Sequence, residues 1–200
     1  MLSKKETFIK HSVLVYLMKK RYLDSIKKLD KFIALFLVDI DNYQETNVNL
    51  VKYFTNIKHF PGVYITINKP FSTLADTFKR NGVDTNMIIF IDAVSHMHQS
   101  HIPDAENCFY LRSPRDLSDI SIAMTEAVRA ISQDEKFVFF DSLNTLLVYS
   151  SQETVARFMH FLAGKMRNYQ VDGIIICLRK DTDPGLISEV SQFCDATITV

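Results

Sequence analysis

From residue 32 onward, short apolar runs alternate with stretches whose apolar residues recur at three- and four-residue steps. The runs are Phe32–Val38, Val63–Ile67, Met87–Ile91, Phe137–Phe140 and Gly173–Leu178. None shows the in/out polarity of a strand with one wet face, so they read as strands buried on both sides. Between them, helical spacing predicts helices near residues 47–58, 71–81, 114–132, 151–168 and 184–193. Ser113-Pro114-Arg115-Asp116 offers a helix cap for the third of these, with Ser113 as the capping residue. Repeated strand–helix–strand units predict a three-layer α/β/α domain with a mainly parallel sheet over residues 31–200. Ahead of it, residues 5–29 carry a stripe of Val15, Met18, Tyr22, Ile26 and Leu29, while Lys19, Lys20, Lys27 and Lys28 fall largely elsewhere. That predicts an N-terminal amphipathic helical extension over residues 1–30, packed on the domain's edge or docked elsewhere through its basic, apolar pattern.

Composition narrows the class without deciding the function. Two hundred residues suffice for one well-buried core. The 23 basic and 23 acidic residues give no overall pull toward nucleic acid or a membrane, although residues 1–31 carry nine Lys/Arg against three Asp/Glu. Beyond that helix, basic patches do not interleave with aromatics, so nucleic-acid binding is not favoured. Cys108, Cys177 and Cys194 are odd in number and widely spaced, as reduced thiols are. No apolar run approaches the ~20 residues that span a bilayer, and no small-residue cleavage site follows Val13–Met18. The expectation is a cytoplasmic protein without a transmembrane segment.

Ligands of open parallel sheets sit beyond the carboxyl ends of the strands, so the residues that follow each run carry the chemistry. The run Phe137–Phe140 ends in Asp141-Ser142, the form of a Walker B strand whose acid holds Mg²⁺. Gly62-Val63-Tyr64-Ile65-Thr66-Ile67-Asn68-Lys69-Pro70 supplies a strand with a short turn into a helix. Asn81-Gly82-Val83-Asp84 and Ile88-Ile89-Phe90-Ile91-Asp92-Ala93-Val94-Ser95 follow in order, then Asp141-Ser142-Leu143-Asn144-Thr145-Leu146-Leu147 and Phe193-Cys194-Asp195-Ala196-Thr197-Ile198. In that order and spacing they resemble the RecA/KaiC-like ATPases over roughly residues 32–200. The resemblance implies a RecA-like strand order. It also implies a nucleotide site at the loop after the first strand, Mg²⁺ at Asp141 and a catalytic acid at the end of the second strand.

The loop departs from that pattern. A phosphate loop needs glycines whose N–H groups curl around phosphate, a Lys for the β/γ oxygens and a Ser/Thr for Mg²⁺. Here the stretch is Asp39-Ile40-Asp41-Asn42-Tyr43-Gln44-Glu45-Thr46-Asn47. One alignment places Thr46 at the Lys and Asn47 at the hydroxyl position. Shifting it by one residue puts Glu45 at the Lys and Thr46 at the hydroxyl. Neither restores Gly or Lys. Hydrogen bonds to a charged group, worth about 1.5–3 kcal/mol each, are lost. Asp39, Asp41 and Glu45 add negative charge, and Tyr43 is predicted to fill the loop. Asn68 and Lys69 stand where the family has its catalytic acid, and an amide takes no proton from water.

These residues describe a non-catalytic KaiC-like protein that acts through protein contacts, regulatory or scaffolding, with no cofactor expected. The degenerate nucleotide-binding set is Thr46, Asn47, Asn68 and Asp141. Two alternatives stand beside it: a RecA-like protein that binds or hydrolyses ATP, with Mg²⁺, through an unorthodox loop, and a receiver-like signalling domain. The second needs Asp39 and Asp41 to hold Mg²⁺, Asp92 to accept a phosphoryl group and Lys180 to assist. A protein partner or self-association, with a related active subunit or with itself, is expected by analogy. Arg179-Lys180 reads either as solvated surface or as a finger lent to a neighbour's nucleotide. His96, His98 and His101 fall within six residues and form a metal-ligand candidate whose plainer reading is a polar loop.

Overall fold

The computed structural model describes residues 22–98, 102 and 104–200. Its centre is a seven-stranded sheet of β1 (Ile33–Val38), β2 (Gly62–Thr66), β3 (Ile88–Asp92), β4 (Cys108–Tyr110), β5 (Phe137–Asp141), β6 (Asp172–Leu178) and β7 (Ala196–Thr199). All pairings are parallel, in the order β4-β3-β2-β5-β6-β1-β7. The helices are α1 (Tyr43–Lys52), α2 (Phe71–Arg80), α3 (Ser95–His98), α4 (Leu117–Ala130), α5 (Leu143–Leu146), α6 (Gln152–Asn168) and α7 (Pro184–Ser191).

Alternation along each strand sorts side chains into two cores. Ile33, Leu35, Val63, Ile65, Val138, Phe140, Ile175 and Cys177 face α4, α6 and α7. Ala34, Phe36, Tyr64, Phe137, Phe139, Ile174 and Ile176 face α1 and α2. The second core is the aromatic one. Tyr64 stacks on Phe139 at 4.7 Å between ring centroids, and Phe54 on Phe137 at 5.0 Å. Gly62 makes room for this layer, since a Cβ there would lie 2.4 Å from the Phe137 ring. Each large side chain so buried contributes about 1.5–3 kcal/mol.

Residues 22–26 are helical, and Tyr22 and Ile26 are buried on the aromatic side, Tyr22 meeting Phe36 edge-on at 6.2 Å. Leu29 packs there too. Val15 and Met18, the other members of the predicted stripe, lie outside the described residues. Among the described residues no helix is long and apolar enough to cross a membrane.

Three local expectations change. Helix α1 begins at Tyr43 rather than near 47, because a 3-10 turn, Ile40–Asn42, runs directly into it; the loop after β1 is therefore shorter than its sequence suggests. Ser113 does not cap α4. Its Oγ accepts from Arg115 N at 3.1 Å, closing a turn ahead of a helix that starts at Leu117. The edge strand β4 is not among the predicted strands, its apolar run Cys108-Phe109-Tyr110 being only three residues long and incompletely buried.

Candidate functional site

β1, β6, β5 and β2 lie side by side, so their carboxyl ends form one rim. Asp141 is the last residue of β5 and is paired in register with Thr66 of β2. Phe137, Phe139 and Asp141 alternate onto the aromatic face, so the carboxylate emerges at the top of that layer, fully buried. Two tyrosines meet it there. Tyr43, the first residue of α1, donates its hydroxyl to Asp141 Oδ1. Tyr64 of β2 donates to Oδ2 at 2.6 Å. Both carboxylate oxygens thus accept from phenols, and the Asp141–Ser142 peptide bond beyond them is cis.

A ring of amides completes the cluster. Asn68 Nδ2 donates to the Tyr43 hydroxyl at 3.0 Å, and Asn47 Nδ2 to the Tyr64 hydroxyl at 3.4 Å. Asn47 Oδ1 is buried without a partner among the described residues. Burial pushes the Asp141 carboxyl above its ordinary range, opposed by the hydroxyls of Tyr43 and Tyr64, the Asn47 amide and the charge of Lys69. Burial, then the Asp141 charge, pushes both phenols far above theirs. With the protons held on the tyrosines, the geometry is a carboxylate clamped by two charge-assisted hydrogen bonds.

The rim outside this cluster is held by charge pairs. Asp39 accepts from one nitrogen of Arg179 at 3.2 Å through both oxygens, with Lys180 Nζ at 3.9 Å. Arg179 and Lys180 therefore face their own chain's first loop. Lys69 Nζ lies 5.8 Å from the centre of the Tyr43 ring and 3.4 Å from Gln44 Oε1.

Of the residues singled out in the sequence, Asp141, Asn68 and Asn47 come together in one cluster, and Thr46 is buried in α1 beside Asn47. Tyr64 was not anticipated. The signal for it was a tyrosine inside a strand buried on both faces, whose hydroxyl must find a polar partner.

The receiver-like arrangement is not formed. Asp39 follows β1 and Asp92 ends β3, with β6, β5 and β2 between them, which at about 4.8 Å per strand separates them by roughly 19 Å. Asp92 instead caps two helix starts. Its Oδ2 accepts from Phe71 N at 2.7 Å and Ser95 Oγ at 2.6 Å; its Oδ1 accepts from Val94 N and Ser95 N. His96 is exposed, its ring edge-on to Tyr110 at 6.5 Å. Among the described residues no three His, Cys, Asp or Glu stand together as metal ligands, and His101 lies outside them.

Comparison with known proteins fits this architecture. No curated protein matches the chain. Among solved structures, a KaiC-like protein, PH0186, from the hyperthermophilic archaeon Pyrococcus horikoshii OT3 superposes with a TM-score of 0.61 at 12% identity, covering 85% of this chain and 71% of that one. At that identity the likeness shows the fold, which is the RecA/KaiC-like α/β fold. A profile of the family of unknown function DUF7504 matches residues 63–200, from β2 through β7. Since the match takes in β2 with Tyr64, β5 with Asp141 and every later element, the chain belongs to the family of unknown function DUF7504.

Proposed function

We propose that this is a non-catalytic member of the KaiC-like fold, acting through protein contacts, in which side chains have replaced nucleotide at the carboxyl rim. The observation that carries the reading is the double clamp on Asp141. An acid that is to hold Mg²⁺ needs a free oxygen facing the phosphates; here each oxygen accepts from a tyrosine, and the carboxylate is sealed from solvent.

The rest of the rim supports the same reading. The segment from Asp39 to Asn47 holds neither glycine nor lysine, and Tyr43 projects from the start of α1 to Asp141. Asn68, at the turn after β2, donates to Tyr43 and has no basic lone pair with which to activate water. Arg179 and Lys180, which follow β6, pair with Asp39. The residues present therefore do not fit Mg²⁺-ATP, and no hydrolytic step is assigned to them. A fold stabilised without ligand at its rim leaves its outer surfaces as the working parts.

Steady-state phosphate release tests the catalytic half. Wild type, Asn68→Glu and a variant with the loop glycines and lysine restored should all remain at background. The loop governs binding and residue 68 governs activation of water, so neither repair alone suffices. Wild-type turnover that disappears in Asp141→Ala would establish an ATPase with an unorthodox loop instead.

A further inference from the structure

We infer that the basic, apolar segment ahead of Tyr22 lies across the carboxyl rim beside α1, as a strap supplied by the chain itself. The described part of that helix fixes the direction of approach. Tyr22 meets Phe36, far along β1, edge-on at 6.2 Å, and its hydroxyl hydrogen-bonds Asn49 of α1, near Glu45. Lys27, further on, lies near Tyr53, just past the end of α1. The chain then turns into β1 at its amino end. The helix at residues 22–26 therefore descends beside α1 from the rim toward the amino edge, and the residues before Tyr22 enter from the rim.

Spacing says how far they reach. Tyr22, Ile26 and Leu29 of the apolar stripe pack in the aromatic core. Val15 and Met18 belong to the same stripe. Continued at 1.5 Å per residue, the stripe carries Met18 about 6 Å and Val15 about 10 Å above Tyr22. Along β1, at about 3.3 Å per residue, Val38 stands about 7 Å above Phe36, and Ile40 lies two residues beyond. Met18 and Val15 thus come level with the 3-10 turn that leads into α1. Ile40 in that turn is 60% exposed. It is an apolar side chain at the height where the stripe leaves the core.

Charge favours the same occupant. Lys19, Lys20 and Arg21 directly precede Tyr22. Glu45 stands one turn before Asn49 on the face of α1 that Tyr22 meets, and Asp41 four residues before Glu45; both are exposed. Asp39 is already paired with Arg179 and is not counted. Of the nearby cations, Lys69 reaches Gln44 and Lys27 is held by Asp24. A run of three cations therefore arrives at the acidic start of α1. The strap closes the rim from outside as Tyr43 fills it from within, and it stands or falls separately from nucleotide binding.

Limited trypsin digestion of the full chain, read by mass at the bonds after Lys19, Lys20 and Arg21, tests it. Those bonds should be cut about tenfold more slowly in wild type than in Ile40→Glu/Asp41→Lys. Both substitutions fall on exposed residues outside the Asp141 cluster, so cutting within residues 32–200 should keep its wild-type rate and show that the fold is intact. Asp41→Lys alone should also quicken cutting after Arg21, and adding Lys19→Glu should reverse that by exchanging the charges. Equal rates after residues 19–21 in wild type and Ile40→Glu/Asp41→Lys overturn the inference. So does protection that fades on dilution, which would assign the strap to a second copy, or protection that appears only with anionic vesicles, which would assign the segment to a membrane surface.

Discussion

A buried carboxylate is tolerated only when its oxygens are satisfied. At Asp141 two phenols from different elements, α1 and β2, do this, and each hydroxyl is held by an amide. Tyr43→Phe removes one donor with little loss of volume and leaves Oδ1 of a buried anion unpaired, which should cost about 1.5–3 kcal/mol. Denaturant unfolding measures it; a loss below about 0.5 kcal/mol, the size of an ordinary surface change, would mean that the clamp does not hold the rim. Some of this was legible from the chain alone. The carboxyl-end position of Asp141, the missing glycines and lysine and the bulky Tyr43 could all be read from residue type and order. Tyr64 could not be assigned, because strand periodicity says which face a side chain takes but not which hydroxyl meets which carboxylate across two strands.

At the scale of elements, the strands buried on both faces were the most legible, since unbroken runs such as Ile33–Val38 admit few other readings. β4 was hidden because its apolar residues, Cys108-Phe109-Tyr110, are too few to stand out as a strand. It is held by backbone contacts at its ends, Phe90 N to Asn107 O and Leu111 N to Asp92 O. The start of α1 was misplaced because a 3-10 turn leaves no sequence mark. The amino edge of the sheet yields a prediction of its own. Asp172 opens β6, is 7% exposed and accepts from Phe32 N at 3.4 Å, where the chain enters β1. Burial pushes its carboxyl up to about 6, eased by the Phe32 N–H and by Lys31 and reinforced by Glu135 and Asp30. A carboxyl raised in the folded state favours folding in acid. Its contribution is full below the unfolded value, about pH 4, and is lost as pH rises through about 6. Asp172→Asn keeps an oxygen for Phe32 N and removes the charge. It should therefore raise the melting temperature at about pH 7.5 and make little difference near pH 4. Equal gains at both values would show that the charge of Asp172 is not what destabilises this edge.

For the molecule as a whole, layering and parallel order follow from the alternation of runs and helical stretches, and the KaiC-like fold is confirmed by superposition on a protein of 12% identity. Function is not inherited with such a fold. It has to be read from the rim, where a nucleotide would have to displace Tyr43, free an oxygen of Asp141 and approach Asp39, Asp41 and Glu45 without a lysine in the loop to meet it. Calorimetric titration of the purified full chain with Mg²⁺-ATP up to millimolar concentration tests this most directly. No saturable heat is expected, in wild type and Asp141→Ala alike. Saturable binding by the wild type that is lost in Asp141→Ala would contradict it, showing that the two tyrosines yield to nucleotide and that the site is live.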